Sequence, residues 1–420
     1  MVRVLIINAH SIENKGDAGI ILSMIDSIKS EIRDVEIAIS SRYWKKDKDY
    51  YKQQGIETLP QIFEYPESNL PFFKRLKFIL KEFIFVNRNK NKVSKNCTIE
   101  KKRLIKWYNE ADIIVSCGGG FILSNHKFLI EPSLLSHLYQ ILFAAWKQKK
   151  ILIYSQTIGP FNSKLSKKIT SHILSKVGSI FVRENISKKY LKELGINNVT
   201  VVPDSAFSLI HREVDITNIF KNSDRKIVGI TLRQWKFPNH ENPKKLFNNY
   251  IESVAESIIY LVSNNYNIVL IPQVVGPTDY EDDRLANKEL LKKIPTNFLP
   301  YVKDLNISEL DAREMKFVYS NLYFLIGTRM HSNIFALSSV TPVLAISYET
   351  KTKGIMQGMG LEDYSIDIDK ITVQNILNKL KALEENYDQY KLYLKKIVPN
   401  IIDDSKIPAK EIKKLVNSIE

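Results

Sequence analysis

One stretch of the sequence indicates both the fold and the site: Leu322-Tyr323-Phe324-Leu325-Ile326-Gly327-Thr328-Arg329-Met330-His331-Ser332. Its apolar run is typical of a buried strand, and in open α/β sheets ligands bind outside the carboxyl ends of the strands. Arg329 can hold a carboxylate or phosphate with two parallel hydrogen bonds, and His331 can transfer a proton near neutral pH. The stretch therefore predicts an enzyme acting on an anionic small molecule. The alternative is an arginine at a helix end beside a buried structural histidine.

The alternation of strand and helix continues in both directions from this stretch. Apolar runs suited to parallel strands alternate with helical periodicity over residues 2–202 and again over 227–347, and the polar residues 212–225 are the predicted linker. The pattern predicts an α/β fold with two Rossmann-like domains facing a cleft and C-terminal helices packing across them. The expected boundaries are 1–212, 225–375 and a helical extension, 376–420, that continues a helix predicted at 374–394.

Composition narrows the class of protein. The chain has 420 residues, 44% of them hydrophobic and only two of them cysteine, which favours several domains in a reducing compartment. No secretory signal and no apolar run of about 18 residues is evident, so a cytoplasmic location is expected.

The net charge of +15 is concentrated in one segment. Residues 73–107 contain twelve Lys or Arg and two Glu, a net of +10. A helix predicted at 72–88 combines an apolar row with a cationic row, which are Phe73, Leu76, Leu80 and Phe83, and Lys74, Lys77, Lys81 and Arg88. Segment 72–107 therefore favours peripheral binding to an anionic membrane surface, on the inner face of the plasma membrane, over nucleic acid. The alternative is a helix whose apolar side joins the core of the first domain.

Other predicted strand ends carry glycine or polar residues. In the first domain these candidates for ligand contact are Asp17, Gly118, Gly119, Gln156, Arg183, Glu184 and Asp204. Each could equally be a helix cap, a tight turn or part of a salt bridge. In the second domain, Arg233, Tyr348 and Lys351 follow strands at the same kind of edge as Arg329. Two arginines suit a ligand with two anionic ends, and Arg233, Arg329 and His331 are expected to converge in the cleft.

The order of these motifs resembles the polysaccharide pyruvyl transferase family. The matching motifs run through most of the chain: Asn14-Lys15-Gly16-Asp17, Gly118-Gly119-Gly120, Gln156-Thr157-Ile158-Gly159-Pro160, Val182-Arg183-Glu184, Asp204-Ser205-Ala206, Arg233, Arg329-Met330-His331-Ser332 and Ser347-Tyr348-Glu349-Thr350-Lys351. Residues 43–103 match no motif of the family. The resemblance implies a GT-B-like fold and transfer of pyruvate from phosphoenolpyruvate to two hydroxyls of one sugar, which makes a cyclic ketal and releases phosphate.

The chemistry expected of the residues agrees with this resemblance. Arg233 and Arg329 could clamp the carboxylate and phosphate of phosphoenolpyruvate beside Tyr348, Lys351 could neutralise the departing phosphate, and His331 is the predicted general acid. Arg329 and His331 are thus the predicted catalytic pair, and the second domain is the phosphoenolpyruvate side. The seven first-domain candidates would bind the acceptor. That acceptor is expected to be a sugar or an undecaprenyl-diphosphate-linked oligosaccharide, a precursor of a capsule, an exopolysaccharide or another cell-envelope polymer. Phosphoenolpyruvate is a co-substrate, and no cofactor or metal is expected.

Two other functions remain open at this stage. A nucleotide-sugar-dependent glycosyltransferase of GT-B fold could use the same cations on phosphates, with Asp17 or Glu184 as the base. A non-catalytic scaffold at the membrane would require His331 and both arginines to be incidental.

Overall fold

The computed structural model describes residues 1–65, 71–89, 97–127, 131–217, 224–238, 240–276 and 281–418. The chain divides into two compact units. The first unit contains residues 1–11, 20–205 and 404–420, and the second contains residues 12–19 and 206–403.

The elements up to residue 205 are, in chain order, β1 (Val2–Ala9), α1 (Lys15–Glu31), β2 (Val35–Ser41), α2 (Trp44–Lys52), β3 (Glu57–Leu59), α3 (Phe72–Asn89), α4 (Ile99–Glu110), β4 (Ile113–Ser116), β5 (Gly119–Ser124), α5 (Pro132–Trp146), β6 (Lys150–Phe161), α6 (Lys164–Leu174), β7 (Ser179–Val182), α7 (Asn185–Glu193) and β8 (Val199–Val201). Those that follow are β9 (Lys226–Thr231), α8 (Pro243–Ser263), β10 (Tyr266–Leu270), α9 (Asp283–Leu291), β11 (Val302–Asp304), α10 (Ala312–Ser320), β12 (Phe324–Gly327), α11 (Met330–Ser338), β13 (Val343–Ser347), α12 (Thr350–Gly358), β14 (Ser365–Asp367), α13 (Val373–Glu385), α14 (Tyr387–Ser405) and α15 (Ile407–Asn417).

The first unit is built on a parallel sheet with the strand order β3-β2-β1-β4-β6-β7-β8, and β5 pairs with β6. Central strands such as β4 are buried along their whole length, as expected for a parallel sheet covered by helices on both faces. The register pairs Ile7 with Ser116 and Ser116 with Ile153. The segments that follow β1 and β4 therefore leave the sheet at one edge.

The second unit has its own parallel sheet, with the strand order β11-β10-β9-β12-β13-β14. Thr231 pairs with Gly327, and Gly327 pairs with Ala345, so the ends of β9, β12 and β13 are aligned. The residues that follow these three strands consequently lie at one edge of the sheet. The predicted α/β class, with parallel sheets in two Rossmann-like units, is confirmed.

The helix predicted at 374–394 is two helices, because α13 ends at Glu385 and α14 begins at Tyr387. Asn386 lies between them as the C-terminal cap of α13, and its backbone N–H donates to the carbonyl of Ala382 at 3.1 Å. An Asn side chain competes with helical backbone bonds, so helix ends tolerate it better than interiors do. The apolar periodicity continues across this break, which is why the sequence predicted one helix.

Helix α3 is present as predicted and packs on the first unit. Ile79 and Phe85 contact its hydrophobic core, and Val86 is fully buried within it. Among the described residues, no helix combines the length and apolar character needed to cross a bilayer.

Candidate active site

Arg329 follows β12 and is held by a buried carboxylate. Its Nε donates to both oxygens of Asp283, at 2.9 and 3.1 Å, and its Nη2 donates to Oδ1 at 2.5 Å and to the carbonyl of Glu281 at 3.2 Å. Asp283 is fully buried and also accepts the backbone N–H groups of Gln273 and Val274, each at 3.0 Å. Burial alone would lower the pKa of Arg329, but the Asp283 carboxylate holds that pKa above its ordinary value. Arg329 is therefore a cation with a fixed orientation.

The pair with Asp283 leaves one nitrogen of Arg329 available. Nη1 has no hydrogen-bond partner among the residues that the structure describes. Asp283 was not among the residues predicted from the sequence. The signal that could have found it is the acidic run at residues 281–283, in which the Asp282 side chain caps α9 and leaves Asp283 as the first residue of that helix.

Arg233 follows β9 and lies against two aromatic rings. Its Cζ is 4.3 Å from the ring centroid of Tyr348 and 4.9 Å from that of Trp235, and the two ring centroids are 4.9 Å apart. Burial raises the pKa of Tyr348, and the positive charges of Arg233 and Arg329 oppose this rise. Both guanidinium groups thus lie within electrostatic reach of the same phenol. This is the gathering of cations that the alignment of β9, β12 and β13 predicts.

Buried hydroxyl groups fix the turn that carries Arg329. The Oγ1 of Thr231 accepts the backbone N–H of Thr328 at 3.1 Å and lies 2.9 Å from the Oγ of Ser332. The hydroxyl of Tyr250 lies 2.9 Å from Oγ1 of Thr328 and accepts the backbone N–H of Arg233 at 3.3 Å. One network therefore joins the segments after β9 and β12, and sets the backbone from which both arginines project.

His331 lies in the first turn of α11, and its ring packs directly on Gly16. A Cβ atom at residue 16 would lie 2.3 Å from the Nδ1 of His331, which no real side chain tolerates. Glycine is thus required at this position by close approach. The predicted proton carrier is held against the first turn of α1, within the second unit.

Asn14 organises that turn. Its Oδ1 accepts the backbone N–H of Gly16 at 3.0 Å, and its Nδ2 donates to the Asp17 carboxylate at 2.8 Å. Asn14 also forms a short antiparallel bridge with Val274, close to the Asp283 carboxylate that holds Arg329. Asp17, a predicted acceptor contact, accordingly lies with the second unit.

Two further polar side chains belong to this edge of the second unit. Lys351 lies in the first turn of α12, with its Nζ 3.8 Å from a carboxylate oxygen of Glu349. Gln273 follows β10, is 1% exposed, and accepts the hydroxyl of Tyr319 at 2.7 Å. Its Nε2 is buried and has no hydrogen-bond partner among the described residues.

In the first unit, Arg183 and Asp204 form a buried ion pair, with side chains only 5% and 1% exposed. The Arg183 guanidinium also donates to the Oγ1 of Thr157, at 2.7 and 3.2 Å, and to the carbonyl of Gly119 at 3.0 Å. Its nitrogens therefore link the start of β5 and the interior of β6 with the segments that follow β7 and β8. This geometry favours a structural role for Arg183 and Asp204 at this edge of the sheet.

Glu184 occupies the N-cap position of α7 without a side-chain bond to the helix backbone, and its carboxylate accepts the hydroxyl of Ser187 at 2.8 Å. Gln156 is different. It is fully buried, and neither its Oε1 nor its Nε2 has a hydrogen-bond partner among the described residues. A buried amide left unpaired costs about 1–3 kcal/mol per group, so Gln156 is the predicted acceptor contact with the greatest unmet bonding capacity.

Gly118 lies in a tightly packed turn from β4 to β5. A Cβ there would lie 3.0 Å from the carbonyl oxygen of Tyr154 and 3.0 Å from the side chain of Ile20. Gly119, the first residue of β5, has a φ of +137°, a conformation that side chains rarely permit. Local packing accounts for Gly118, and backbone conformation accounts for Gly119.

A ring cluster in the first unit was not predicted as a site. The ring centroid of Phe121 is 4.6 Å from that of His10 and 4.3 Å from that of His137. The Nδ1 of His137 lies 3.1 Å from the Oδ1 of Asn8, and burial holds the pKa of His137 well below its ordinary value. The rings of His10 and His137 are tilted by 34° and 35° against that of Phe121. Among the described residues, no group of three or more metal-ligating side chains occurs.

The fold and this site define a class: an α/β protein with two Rossmann-like units and a cationic edge in the second unit. A family model for polysaccharide pyruvyl transferase matches residues 14–350, and the chain belongs to this family. The amylovoran biosynthesis protein AmsJ of Erwinia amylovora is 24% identical over 403 residues, which cover 92% of this chain and 93% of AmsJ. The chain is accordingly a transferase with a role in polysaccharide modification.

Solved structures support the fold. The UDP-GlcNAc 2-epimerase of Neisseria meningitidis aligns over 100% of both chains with a TM-score of 0.60 and 12% identity. MnaA of S. aureus aligns over 98% of this chain and 95% of its own, with a TM-score of 0.57 and 12% identity. The UDP-GlcNAc 2-epimerase of Methanocaldococcus jannaschii aligns over 99% of this chain and 100% of its own, with a TM-score of 0.55 and 13% identity. These similarities confirm the GT-B-like fold.

Proposed function

We propose that this protein transfers pyruvate from phosphoenolpyruvate to two hydroxyls of a sugar, forming a cyclic ketal and releasing phosphate. The observation that carries the proposal is the pair of guanidinium groups, Arg233 and Arg329, within electrostatic reach of Tyr348. Phosphoenolpyruvate has a carboxylate and a phosphate attached to the same carbon, and two cations fixed at one sheet edge suit such a ligand. Membership of the pyruvyl transferase family supports the same donor.

The first step of the proposed reaction is a proton transfer to the donor. A general acid protonates the methylene carbon of phosphoenolpyruvate, and the central carbon becomes electrophilic. The first sugar hydroxyl adds to that carbon and loses its proton, and the C–O bond to phosphate breaks. The second hydroxyl then adds to the same carbon and gives its proton to the departed phosphate, so that one phosphoenolpyruvate and one diol give one ketal and one phosphate. His331, held against Gly16, is the acid in this scheme.

The cationic side chains stabilise the negative charges of the donor and of the departing phosphate. Nη1 of Arg329, which has no partner among the described residues, and the Arg233 guanidinium bind the anionic ends of the donor. Lys351, at the start of α12, neutralises the phosphate as it leaves. Asp283 contacts no substrate in this scheme, and acts as a positioning residue for Arg329.

The acceptor is a sugar of a surface-polysaccharide precursor, and we propose that it is carried on a lipid diphosphate. The unpaired amide of Gln156 and the ring cluster of His10, Phe121 and His137 support an acceptor site in the first unit. The name of the relative AmsJ, an amylovoran biosynthesis protein, supports a polysaccharide as the end product.

Two measurements test this function. Phosphate release from phosphoenolpyruvate across a panel of lipid-linked and water-soluble saccharides should require an acceptor and give a ketal detectable by mass. Calorimetric titration with phosphoenolpyruvate alone needs no acceptor, and the Arg233→Met and Arg329→Met variants should each lose at least about tenfold in affinity. Absence of phosphoenolpyruvate binding, together with consumption of a nucleotide sugar, would reject the proposal.

A further inference from the structure

Helix α3 has three distinct faces. Successive residues of an α-helix are about 100° apart, so the side chains of α3 fall into three arcs around its axis. One arc faces the core of the first unit and includes Ile79, Phe85 and Val86. The other two arcs are exposed to solvent, one apolar and one cationic.

The inner arc fixes how the helix is oriented. The Glu82 carboxylate accepts the Nζ of Lys101 at 2.9 Å and the backbone N–H of Glu64 at 3.0 Å, and the Glu82 side chain is only 15% exposed. The helix is therefore anchored along its inner side, and its outer side cannot turn into the core.

The outer apolar arc is about 100° wide. It contains Phe73, Leu76, Leu80, Phe83 and Ile84, which are 81, 45, 54, 47 and 48% exposed. These are five of the 13 large apolar side chains that are exposed among the described residues, and the other eight are scattered over several elements. A soluble surface rarely presents so many apolar side chains together without a binding partner. Asn87 interrupts the arc only in the last turn.

The cationic arc lies directly beside the apolar one. It contains Lys74, Lys77, Lys81 and Arg88, all exposed. Antiparallel pairing of two copies through their apolar arcs would bring two such rows of like charge together, which disfavours that pairing as the occupant of the apolar arc. An anionic surface with an apolar interior satisfies both arcs at once.

We propose that α3 docks the protein on an anionic membrane, with its apolar arc among the lipid acyl chains and its cationic arc at the headgroups. The helix lies in the plane of the interface, as amphipathic helices with aromatic and basic residues do. Its inner arc stays on the first unit throughout. This inference goes beyond the proposed activity and does not rest on it.

Vesicle co-sedimentation tests the surface. The full-length protein is mixed with vesicles of phosphatidylglycerol and phosphatidylcholine, or of phosphatidylcholine alone, at low and high salt. Binding should require phosphatidylglycerol and fall with salt. The triple variant Lys74→Glu, Lys77→Glu, Lys81→Glu should reduce the partition coefficient by roughly 100-fold. The double variant Phe73→Ser, Leu80→Ser should reduce it by at least about tenfold.

Helix α6 provides matched controls in the same unit. Its exposed side chains include Lys164, Lys167 and Lys168, and Leu165 is 46% exposed. Changing these three lysines to Glu, or Leu165 to Ser, should leave most of the binding intact, and circular dichroism checks that every variant is folded. Equal losses in the α6 and α3 variants would overturn the proposal. Absence of binding to vesicles, or equal binding to phosphatidylcholine alone, would also overturn it. A third contrary result would be that the protein self-associates and that the Phe73→Ser, Leu80→Ser variant abolishes this self-association but leaves vesicle binding unchanged.

Discussion

Two arginines that follow strands in this chain are each held by a buried aspartate, yet their remaining donors differ. Arg183, paired with Asp204, also donates to Thr157 and to the carbonyl of Gly119. Arg329, paired with Asp283, keeps Nη1 without a partner among the described residues. A sequence pattern cannot separate these cases, because both arginines follow an apolar strand and both aspartates are remote in sequence.

Replacement of the positioning residue should weaken donor binding. Asp283→Asn removes the charge that orients Arg329, so the KM for phosphoenolpyruvate should rise at least about tenfold while kcat changes less. The free energy of unfolding should fall by roughly 3–5 kcal/mol, because a buried cation is left uncompensated. The double variant Asp283→Asn, Arg329→Met should lose less stability than the sum of the two single losses.

The buried pair of the first unit provides the control for this variant. Asp204→Asn should cost a similar free energy of unfolding but leave the KM for phosphoenolpyruvate unchanged. If Asp283→Asn and Asp204→Asn shift that KM equally, Asp283 has no positioning role for the donor.

His331 should matter for turnover more than for binding. His331→Gln keeps a polar side chain beside Gly16 but cannot supply a proton near neutral pH, so kcat should fall by roughly 10²–10⁴-fold. The affinity for phosphoenolpyruvate, measured by calorimetric titration, should change by less than about tenfold. Near-normal turnover would remove His331 from the chemistry.

Lys316 predicts a pH dependence of stability. It is 4% exposed, donates to the carbonyls of Leu209 and Phe207 at 2.7 and 3.3 Å, and burial lowers its pKa from 10.5 to about 7. Between these pKa values the unfolded chain binds the proton and the folded chain does not, so the free energy of unfolding gains from Lys316 as pH rises. The contribution of Lys316 to the free energy of unfolding should rise by about 1.4 kcal/mol per pH unit, which is the value for one proton.

Denaturant unfolding at several pH values between 7 and 10 tests this. The Lys316→Met variant should lack the added slope, while Lys396→Met, at an exposed position, should keep it. If the free energy of unfolding of Lys316→Met changes with pH as that of the unmodified protein does, Lys316 does not contribute to the pH dependence of stability.

At the scale of elements, strands formed by continuous apolar runs could be predicted from the sequence, whereas the three-residue strands could not. The runs of β1, β9 and β12 each have the length and burial of a doubly covered strand. Strands such as β3, β11 and β14 have only three residues each, and their conformation depends on a neighbouring strand that the local sequence does not reveal. The two outer faces of α3 were predictable, because its two rows of side chains repeat at helical spacing.

The candidate site was predictable as far as strand ends define it. Arg233, Arg329 and Tyr348 follow adjacent strands, and this adjacency could be inferred from the motifs. The contact of His331 with Gly16 could not be inferred from the sequence. The two residues belong to motifs that are far apart in the chain, and only the fold brings them into contact. The role of Asp283 required knowing where α9 begins relative to β10.

The contact between α1 and α11 gives a prediction at this scale. Gly16→Ala places a methyl group where the His331 ring lies, so the ring must shift and kcat should fall by about tenfold or more. Gly354→Ala, in α12, meets no atom within 4 Å and should stabilise the protein by up to about 1 kcal/mol with activity unchanged. Equal turnover in the two variants would show that the position of His331 is not critical.

At the scale of the whole molecule, each unit has its own parallel sheet and its own set of polar strand ends. The second unit contains the cations that we propose bind phosphoenolpyruvate, and the first contains the unpaired amide of Gln156 and the ring cluster. Such a division suits a transferase with two unlike substrates. The predicted boundaries at 212, 225 and 375 stay predictions, as does the location of the protein.

The central claim is that phosphoenolpyruvate is the pyruvate donor. The most direct test follows phosphoenolpyruvate and inorganic phosphate by ³¹P NMR while saccharide precursors are added to the unmodified protein and to His331→Gln. We predict that the unmodified protein releases one phosphate for each acceptor converted to a ketal, and that His331→Gln releases phosphate roughly 10²–10⁴-fold more slowly. Equal phosphate release by the two proteins, or saccharide modification that proceeds without phosphoenolpyruvate, would contradict the account.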